Sequence, residues 1–155
     1  MMDLQKLLFG RSDLSASIDP SVHSVSLVDV RRDDCPLIYV NRGFAMLTGY
    51  APGEVVGRNC RFLQGAATDA ETVRQMRQAI VEGLPFLADL TNYKKDGKPF
   101  WNRLSLRPVR DLRGAVTHYV GIQTDITAMK RVEEKVYDFA LELAALPSSK
   151  SSSPP

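Results

Sequence analysis

Three strand-like segments follow one another in the second half of the chain, and this arrangement restricts the fold more than any other feature. Each segment contains several of the β-branched and aromatic residues that favour strands. Asp96-Gly97 separates the first two segments and is a strong hairpin signal. The polar residues 111–114 supply a second turn. The pattern predicts consecutive antiparallel strands at 86–93, 100–109 and 116–126.

The first hairpin needs one extra residue if its two asparagines are to share a face. A strict two-residue turn at Asp96-Gly97 would set Asn92 opposite Trp101, which leaves Asn102 on the other face. One additional residue, with Gly97 at positive φ, returns Asn92 and Asn102 to the same face. We therefore expect a bulged turn. On the last strand the same alternation groups Tyr119, Gly121 and Gln123.

The first half of the chain alternates between short strands and short helices. Strands are expected at 25–30 and 37–40, as an antiparallel pair. Asn41 is a suitable N-cap for a helix that ends near Leu47, and Pro52 suits the first turn of a second helix. Thr68 or Asp69 caps a longer helix over 70–82, with a buried stripe of Val73, Met76, Ala79 and Ile80. This order predicts an α+β fold, in which one five-stranded antiparallel sheet covers short helices on one face.

The two cysteines, Cys35 and Cys60, are expected to stay reduced. The chain begins without the basic and apolar segments of a secretory signal, which favours a cytoplasmic location. Cys35 precedes Pro36, so extended backbone and a structural role are expected for it.

Composition argues against several classes of protein. The net charge is +2 with interspersed signs, so no basic stripe suggests a nucleic-acid partner. No apolar run approaches the roughly 18 residues of a membrane span. His23 and His118 are too few and too scattered to indicate a metal site.

Residues 57–65, with the sequence GRNCRFLQG, combine a nucleophile with amides and guanidiniums. Asn59 and Gln64 donate and accept hydrogen bonds at once, as the edge of a heterocycle requires. Arginine side chains hold an anion such as a phosphate in a two-pronged grip. The alternative is a helix with a core cysteine and solvated arginines, because free cysteine is often buried.

This uninterrupted stretch is identified as the signature of LOV domains, the blue-light-sensing and flavin-binding branch of the PAS superfamily. The resemblance extends over about residues 24–127 and is of the short LOV photoreceptor type. It implies a PAS fold flanked by N-terminal and C-terminal helices, with flavin mononucleotide (FMN) bound non-covalently in the dark. It also implies that illumination joins the Cys60 thiol reversibly to the C4a carbon of the flavin.

Further site residues are implied by the same resemblance. Leu104 stands where many members have phenylalanine, and Val28 and Cys35 stand where the family often has a hydroxyl or an amide near the ring. We expect these departures to affect the absorption fine structure and the recovery rate. The implied flavin-edge contacts are Asn59, Gln64, Asn92, Asn102 and Gln123; the phosphate pair is Arg61 and Arg77; the apolar wall is Leu63, Ile80, Leu90, Leu104 and Leu106; Gly121 permits close approach of the backbone to the ring.

The output is expected to run through Gln123 and the last strand. Once the flavin N5 atom is protonated, the Gln123 amide answers by exchanging its oxygen for its nitrogen toward the ring. From Thr127, which we expect to cap a helix, Met129, Val132, Val136, Phe139, Leu143 and Leu146 form a heptad-like seam. This helix either folds back on the sheet or pairs with its copy, and the narrow seam favours a homodimer.

The expected organisation has four parts. Residues 1–22 are an N-terminal helix and linker, in which Leu4, Leu7 and Leu8 either pack on the domain or contribute to a dimer. The flavin-binding domain covers 23–127, a C-terminal amphipathic helix covers 128–146, and a disordered tail covers 147–155.

The function implied is that of a non-enzymatic photoreceptor whose downstream effector the sequence does not identify. One alternative is a PAS interaction module that binds another ligand or none. A redox flavoenzyme is a further alternative, although no dinucleotide-binding glycine fingerprint follows a strand. Whether the chain is a short LOV protein or a fragment of a longer one stays open, as does occupancy by riboflavin or FAD.

Overall fold

The computed structural model describes residues 23–147. The predicted N-terminal helix and the tail beyond residue 147 lie outside this part. The described residues confirm the expected α+β fold with a five-stranded antiparallel sheet. In chain order the elements are β1 (Ser24–Asp29), β2 (Leu37–Val40), α1 (Arg42–Thr48), α2 (Pro52–Val55), a 3₁₀ helix (Cys60–Leu63), α3 (Ala70–Glu82), β3 (Phe86–Tyr93), β4 (Pro99–Arg110), β5 (Val116–Asp125) and α4 (Thr127–Ala145).

The strands lie in the order β2-β1-β5-β4-β3, and every neighbouring pair is antiparallel. In the β3–β4 hairpin Leu90 lies opposite Asn102, and Asn92 lies opposite Phe100. Gly97 has a φ of 83°, so the hairpin contains the predicted extra residue and both asparagines lie on one face. This face also carries Gln123, because Leu104 pairs with Gln123 on β5.

Helices α1 and α3 begin and end at residues that the sequence indicates. Asn41 Oδ1 accepts from the backbone nitrogen of Phe44 at 3.0 Å, and Asp69 caps α3 through the backbone nitrogen of Thr72. Gly49 and Gly83 end α1 and α3 in the left-handed conformation that favours glycine. A small core where β2 meets α1, α2 and the 3₁₀ helix holds Leu37, Val40, Phe44, Val55 and Leu63.

Three local predictions were wrong. Cys35 has a φ of 45°, because its backbone nitrogen donates to Arg32 in a tight turn rather than continuing an extended strand. Thr127 does not cap α4; its hydroxyl accepts from the backbone nitrogen of Trp101, and the N-cap is Ile126. On α3, only Val73 of the predicted stripe is buried, while Met76, Ala79 and Ile80 are half-buried.

Helix α4 has no buried residue, so it does not fold back on the sheet as one interpretation of the sequence proposed. The six seam residues from Met129 to Leu146 are between 38% and 64% exposed. Tyr137 and Leu141 are also exposed, which widens the apolar surface beyond the predicted seam. No helix within residues 23–147 has the length and apolar character needed to cross a membrane.

Candidate functional site

A cavity of about 370 Å³ lies between the inner face of the sheet and the helices. Its volume falls in the range of typical small-molecule sites, roughly 300–1,000 Å³. The walls are mostly apolar, and a few amide and charged side chains point into it. The site therefore suits a ligand with a flat apolar body and a polar edge.

Fourteen of the predicted site residues line this cavity. Only Gly121 does not, although a Cβ atom on it would meet the lining side chains of Ser26 and Gln123. The predicted residues that line it are Val28, Asn59, Cys60, Arg61, Leu63, Gln64, Arg77, Ile80, Leu90, Asn92, Asn102, Leu104, Leu106 and Gln123. Seven further lining residues were missed as site residues: Ser26, Val30, Asp34, Cys35, Met76, Val81 and Tyr119.

Cys60 begins the 3₁₀ helix, directly after its N-cap Asn59. Asn59 Oδ1 accepts from the backbone nitrogen of Arg61 at 2.9 Å, which fixes the turn that carries the thiol. Cys60 is half-buried and is exposed toward the cavity. Desolvation by the surrounding protein raises the pKa of the Cys60 thiol to about 12. The sulfur is therefore protonated at neutral pH and carries a proton that it can transfer.

Asn92 and Asn102 form a buried amide pair at one side of the cavity. Asn102 Nδ2 donates to Asn92 Oδ1 at 2.9 Å, and Asn102 Oδ1 accepts from the backbone nitrogen of Thr124 at 3.2 Å. Each amide has two donor hydrogens and two acceptor lone pairs. The pair thus holds its orientation and retains hydrogen-bonding capacity toward a ligand.

The Gln123 amide is held between two hydroxyls of β1. Ser24 Oγ donates to Gln123 Oε1 at 2.7 Å, and Gln123 Nε2 donates to Ser26 Oγ at 2.8 Å. All three side chains are buried. A hydroxyl both donates and accepts, so these serines can also satisfy the amide after its oxygen and nitrogen exchange places.

Gly121 leaves the space that this arrangement needs. A Cβ atom at this position would lie 2.6 Å from Ser26 Oγ and 2.9 Å from Gln123 Nε2. Both distances are shorter than real Cβ contacts allow. Close approach between β1 and β5 therefore requires glycine here, although the approach that the structure shows is to side chains of the protein.

Both arginines predicted to bind a phosphate, Arg61 and Arg77, line the cavity, but their surroundings differ. Arg61 Nη1 and Nη2 donate to Asp34 Oδ2 and Oδ1 at 2.8 and 2.6 Å. The pairing lowers the pKa of the Asp34 carboxyl, so this group is ionised at neutral pH. Arg77 is exposed on α3. Arg74, one turn earlier, pairs with Glu71 and is not part of the lining.

Cys35 lines the same cavity as Cys60. Burial raises the pKa of the Cys35 thiol, and the nearby Asp34 carboxylate contributes in the same direction. This position agrees with the place near the ring that the family resemblance implied for Cys35, although no functional role was expected for it. Among residues 23–147 both cysteines are free, and no group of His, Cys, Asp and Glu side chains there is arranged to bind a metal.

Comparisons with known proteins agree on one family. A family model described as a PAS domain matches residues 24–128. "Phototropin-2" of Oryza sativa subsp. japonica is 52% identical over 99 residues, which cover 64% of this chain and 11% of that protein. "Blue-light-activated histidine kinase 1" of Erythrobacter litoralis (strain HTCC2594) is 46% identical over 123 residues, covering 77% of this chain and 34% of that protein.

A solved structure gives the same result. The "LOV domain from Erythrobacter litoralis EL346 blue-light activated histidine kinase" superposes with a TM-score of 0.66 and 44% identity. The match covers 68% of this chain and 96% of that domain. By contrast, the chain spans between about a tenth and a third of the length of the two curated relatives, at 11% and 34%.

Proposed function

The chain belongs to the PAS domain family, in its LOV branch, and from this premise we propose that it is a blue-light receptor with FMN as chromophore. The observation that supports the proposal most is that one cavity is lined by the Cys60 thiol, by buried amide side chains and by two arginines. A second cavity, beside Trp101, Thr127 and Lys130, has no thiol in its lining.

The residues present fit this cofactor. Asn92, Asn102 and Gln123 supply amides to the polar edge of a ring system. Leu90, Leu104 and the other apolar residues of the wall suit its flat faces. Arg61 and Arg77 supply the charge that a terminal phosphate requires. A cavity of about 370 Å³ is large enough for most of such a ligand.

Cys60 is proposed as the residue that joins the chromophore. A bound flavin would supply the absorption of blue light and an electrophilic C4a carbon. The Cys60 sulfur would bond to that carbon as its S–H bond breaks, and the proton would pass to the neighbouring N5 atom of the flavin. The raised pKa of Cys60 keeps the sulfur protonated until that step, so the same residue delivers the sulfur and the proton. The reaction consumes no second substrate, and the bond breaks again in the dark. We therefore propose that this domain senses light and catalyses no turnover of its own.

Gln123 is proposed to carry the signal from the cavity to α4. Its amide would reorient when the flavin N5 atom, on gaining a proton, changes from a hydrogen-bond acceptor to a donor. Ser24 and Ser26 keep both orientations satisfied, so the exchange leaves no buried polar group unpaired. From Gln123, β5 continues within a few residues into Thr127, the first residue of α4. A local change of hydrogen bonding thus reaches the helix directly.

The exposed apolar surface of α4 is proposed as a homodimer contact. Val132, Val136 and Phe139 are each about 60% exposed in the isolated chain, at 60%, 63% and 61%. Contiguous exposed apolar surface of this kind marks an interaction site. The test is light scattering after size-exclusion chromatography. Val136→Asp should yield monomer, whereas the adjacent off-seam control Lys135→Asp should not; an unaltered mass for Val136→Asp contradicts the contact. The identity of the effector and the cytoplasmic location both stay predictions.

Illumination of the purified full chain tests the proposed function. The protein should be yellow, release FMN on denaturation, lose its blue absorption band under blue light and regain it in darkness. A colourless protein without extractable flavin would instead favour an interaction module with another ligand or none. A yellow protein whose spectrum does not respond to light would remove the photoreceptor assignment.

A further inference from the structure

A two-pronged ion pair joins the β1–β2 loop to the 3₁₀ helix at the edge of the cavity. Arg61 donates from both terminal nitrogens to the two carboxylate oxygens of Asp34, at 2.8 and 2.6 Å. This parallel geometry is the strongest that a guanidinium and a carboxylate adopt. Both side chains are more than half exposed, at 51% and 61%, and both line the cavity. The pair therefore lies where the cavity meets solvent.

The backbone holds the Asp34 carboxylate in this position. Asp34 has a φ of 63°, a left-handed conformation that aspartate tolerates better than most residues. Asn59 Nδ2 donates to the backbone oxygen of Asp34 at 2.7 Å, while Asn59 Oδ1 accepts from the backbone nitrogen of Arg61. One asparagine thus ties together the two segments that present the carboxylate and the guanidinium.

The ion pair with Asp34 occupies both terminal nitrogens of Arg61, which a phosphate would also use. A phosphate binds a guanidinium through the same two-pronged contact that Asp34 makes. The Asp34 carboxylate also carries a negative charge at the opening of the cavity, where it repels a phosphate dianion. Arg77 also lines the cavity and forms no ion pair with another residue of 23–147, so it offers its charge directly.

We propose that Asp34 is a specificity-determining residue that competes with the phosphate of a flavin nucleotide for Arg61. This inference rests on the proposed function and extends it. Riboflavin lacks the phosphate, so the competition weakens the binding of FMN and does not affect the binding of riboflavin. Asp34 therefore reduces the affinity for FMN relative to that for riboflavin. Because Arg61 is paired, Arg77 contributes more than Arg61 to the affinity for the phosphate.

The test is a competition between the two flavins on the intact chain. The purified protein is dialysed to equilibrium against equimolar FMN and riboflavin, and the bound flavins are separated after denaturation. Asp34→Asn retains the side-chain shape and the left-handed backbone but removes the charge. We expect it to raise the bound ratio of FMN to riboflavin about fivefold, the upper end for an exposed ion pair. Arg77→Gln should lower that ratio more than Arg61→Gln does.

Asp89→Asn is the matched control. Asp89 forms the same two-pronged pair with Arg103, at 2.7 and 2.9 Å, but these residues are not part of the cavity lining. This variant should leave the ratio unchanged. Because the ratio is measured on protein-bound flavin, partial unfolding of a variant does not alter it, and Asp34→Ser provides a second neutral replacement.

The outcomes separate this inference from the proposed function. If Asp34→Asn and Asp34→Ser leave the ratio unchanged or lower it, Asp34 does not compete with the phosphate, while the photoreceptor proposal stands. An equal rise in Asp89→Asn would show a general effect of net charge and would likewise overturn the role of Asp34. A wild-type chain that binds neither flavin removes both proposals.

Discussion

Replacing Gly121 with alanine should destabilise the protein far more than a methyl group does elsewhere. The new Cβ would lie 2.6 Å from Ser26 Oγ and 2.9 Å from Gln123 Nε2, so at least one of these groups has to move. Inserting a methyl group into a packed site costs about 1–3 kcal/mol. Separating Ser26 from Gln123 leaves a buried polar group unpaired, which costs about 1–3 kcal/mol more. We expect a total loss of about 2–6 kcal/mol.

The assay is equilibrium unfolding of the full chain in urea, followed by circular dichroism at equal flavin content. Gly53→Ala is the control, because no atom lies within 4 Å of the added methyl group in α2. That change should be neutral or should stabilise by up to about 1 kcal/mol, since alanine favours helix more than glycine does.

A double variant identifies the cause. Ser26→Ala removes the oxygen that the Gly121→Ala methyl group would meet, so the two changes together should cost at least about 1 kcal/mol less than their sum. If Gly121→Ala unfolds at the same urea concentration as Gly53→Ala, or if the two costs are simply additive, the close approach of β1 and β5 at Gly121 does not constrain the site.

Three further predictions concern titration and signalling. The Arg31 side chain holds the pKa of Asp29 at about 2, so the stabilisation is present above about pH 4 and is lost as pH falls from there through 2. Asp29→Asn should therefore cost about 1–2 kcal/mol at pH 7 and progressively less below about pH 4, measured by urea unfolding. Because the pKa of Cys60 is about 12, the bleaching yield should stay constant from about pH 6 to about pH 9, whereas a thiol with the usual pKa of about 8.5 would lose much of it. In the wild-type chain, light should change the hydrogen exchange of α4. The Gln123→Leu variant should still bleach but should show no such change; if the change persists in this variant, Gln123 is not the relay.

The sequence predicted the features that depend on local chemistry. Asp96 and Gly97 specify a turn with one residue at positive φ, and the alternation of side chains then places Asn92 and Asn102 together. The N-caps Asn41 and Asp69 follow from hydrogen bonds within three residues along the chain. Such features need no knowledge of which strands are neighbours.

The missed features depend on contacts between distant segments. Ser26 meets Gln123 only because β1 pairs with β5, 97 residues later. Asp34 meets Arg61 across 27 residues, and no pattern along the chain connects the two. Gly121 and Gln123 share an inward face of β5. If the pairing of β1 with β5 had been deduced, Ser26 would have been recognised as a site residue, because it lies opposite Gly121.

Tertiary contacts also explain the wrong predictions. The rule that a residue before proline is extended was overridden at Cys35, where a tight turn and the Asn59 contact with the preceding Asp34 backbone oxygen fix the loop. The hydroxyl of Thr127 was expected to cap its own helix but instead accepts from the Trp101 backbone nitrogen on β4.

The two cavity cysteines provide the most direct test of the account. Cys35 and Cys60 line the same cavity. Light-minus-dark absorption spectra would be recorded for the variants Cys60→Ala and Cys35→Ala. The account predicts that both variants stay yellow, that Cys35→Ala still bleaches and recovers, and that Cys60→Ala no longer bleaches. Reversible bleaching in Cys60→Ala like that of the wild type, or its loss in Cys35→Ala alone, would contradict the assignment of Cys60.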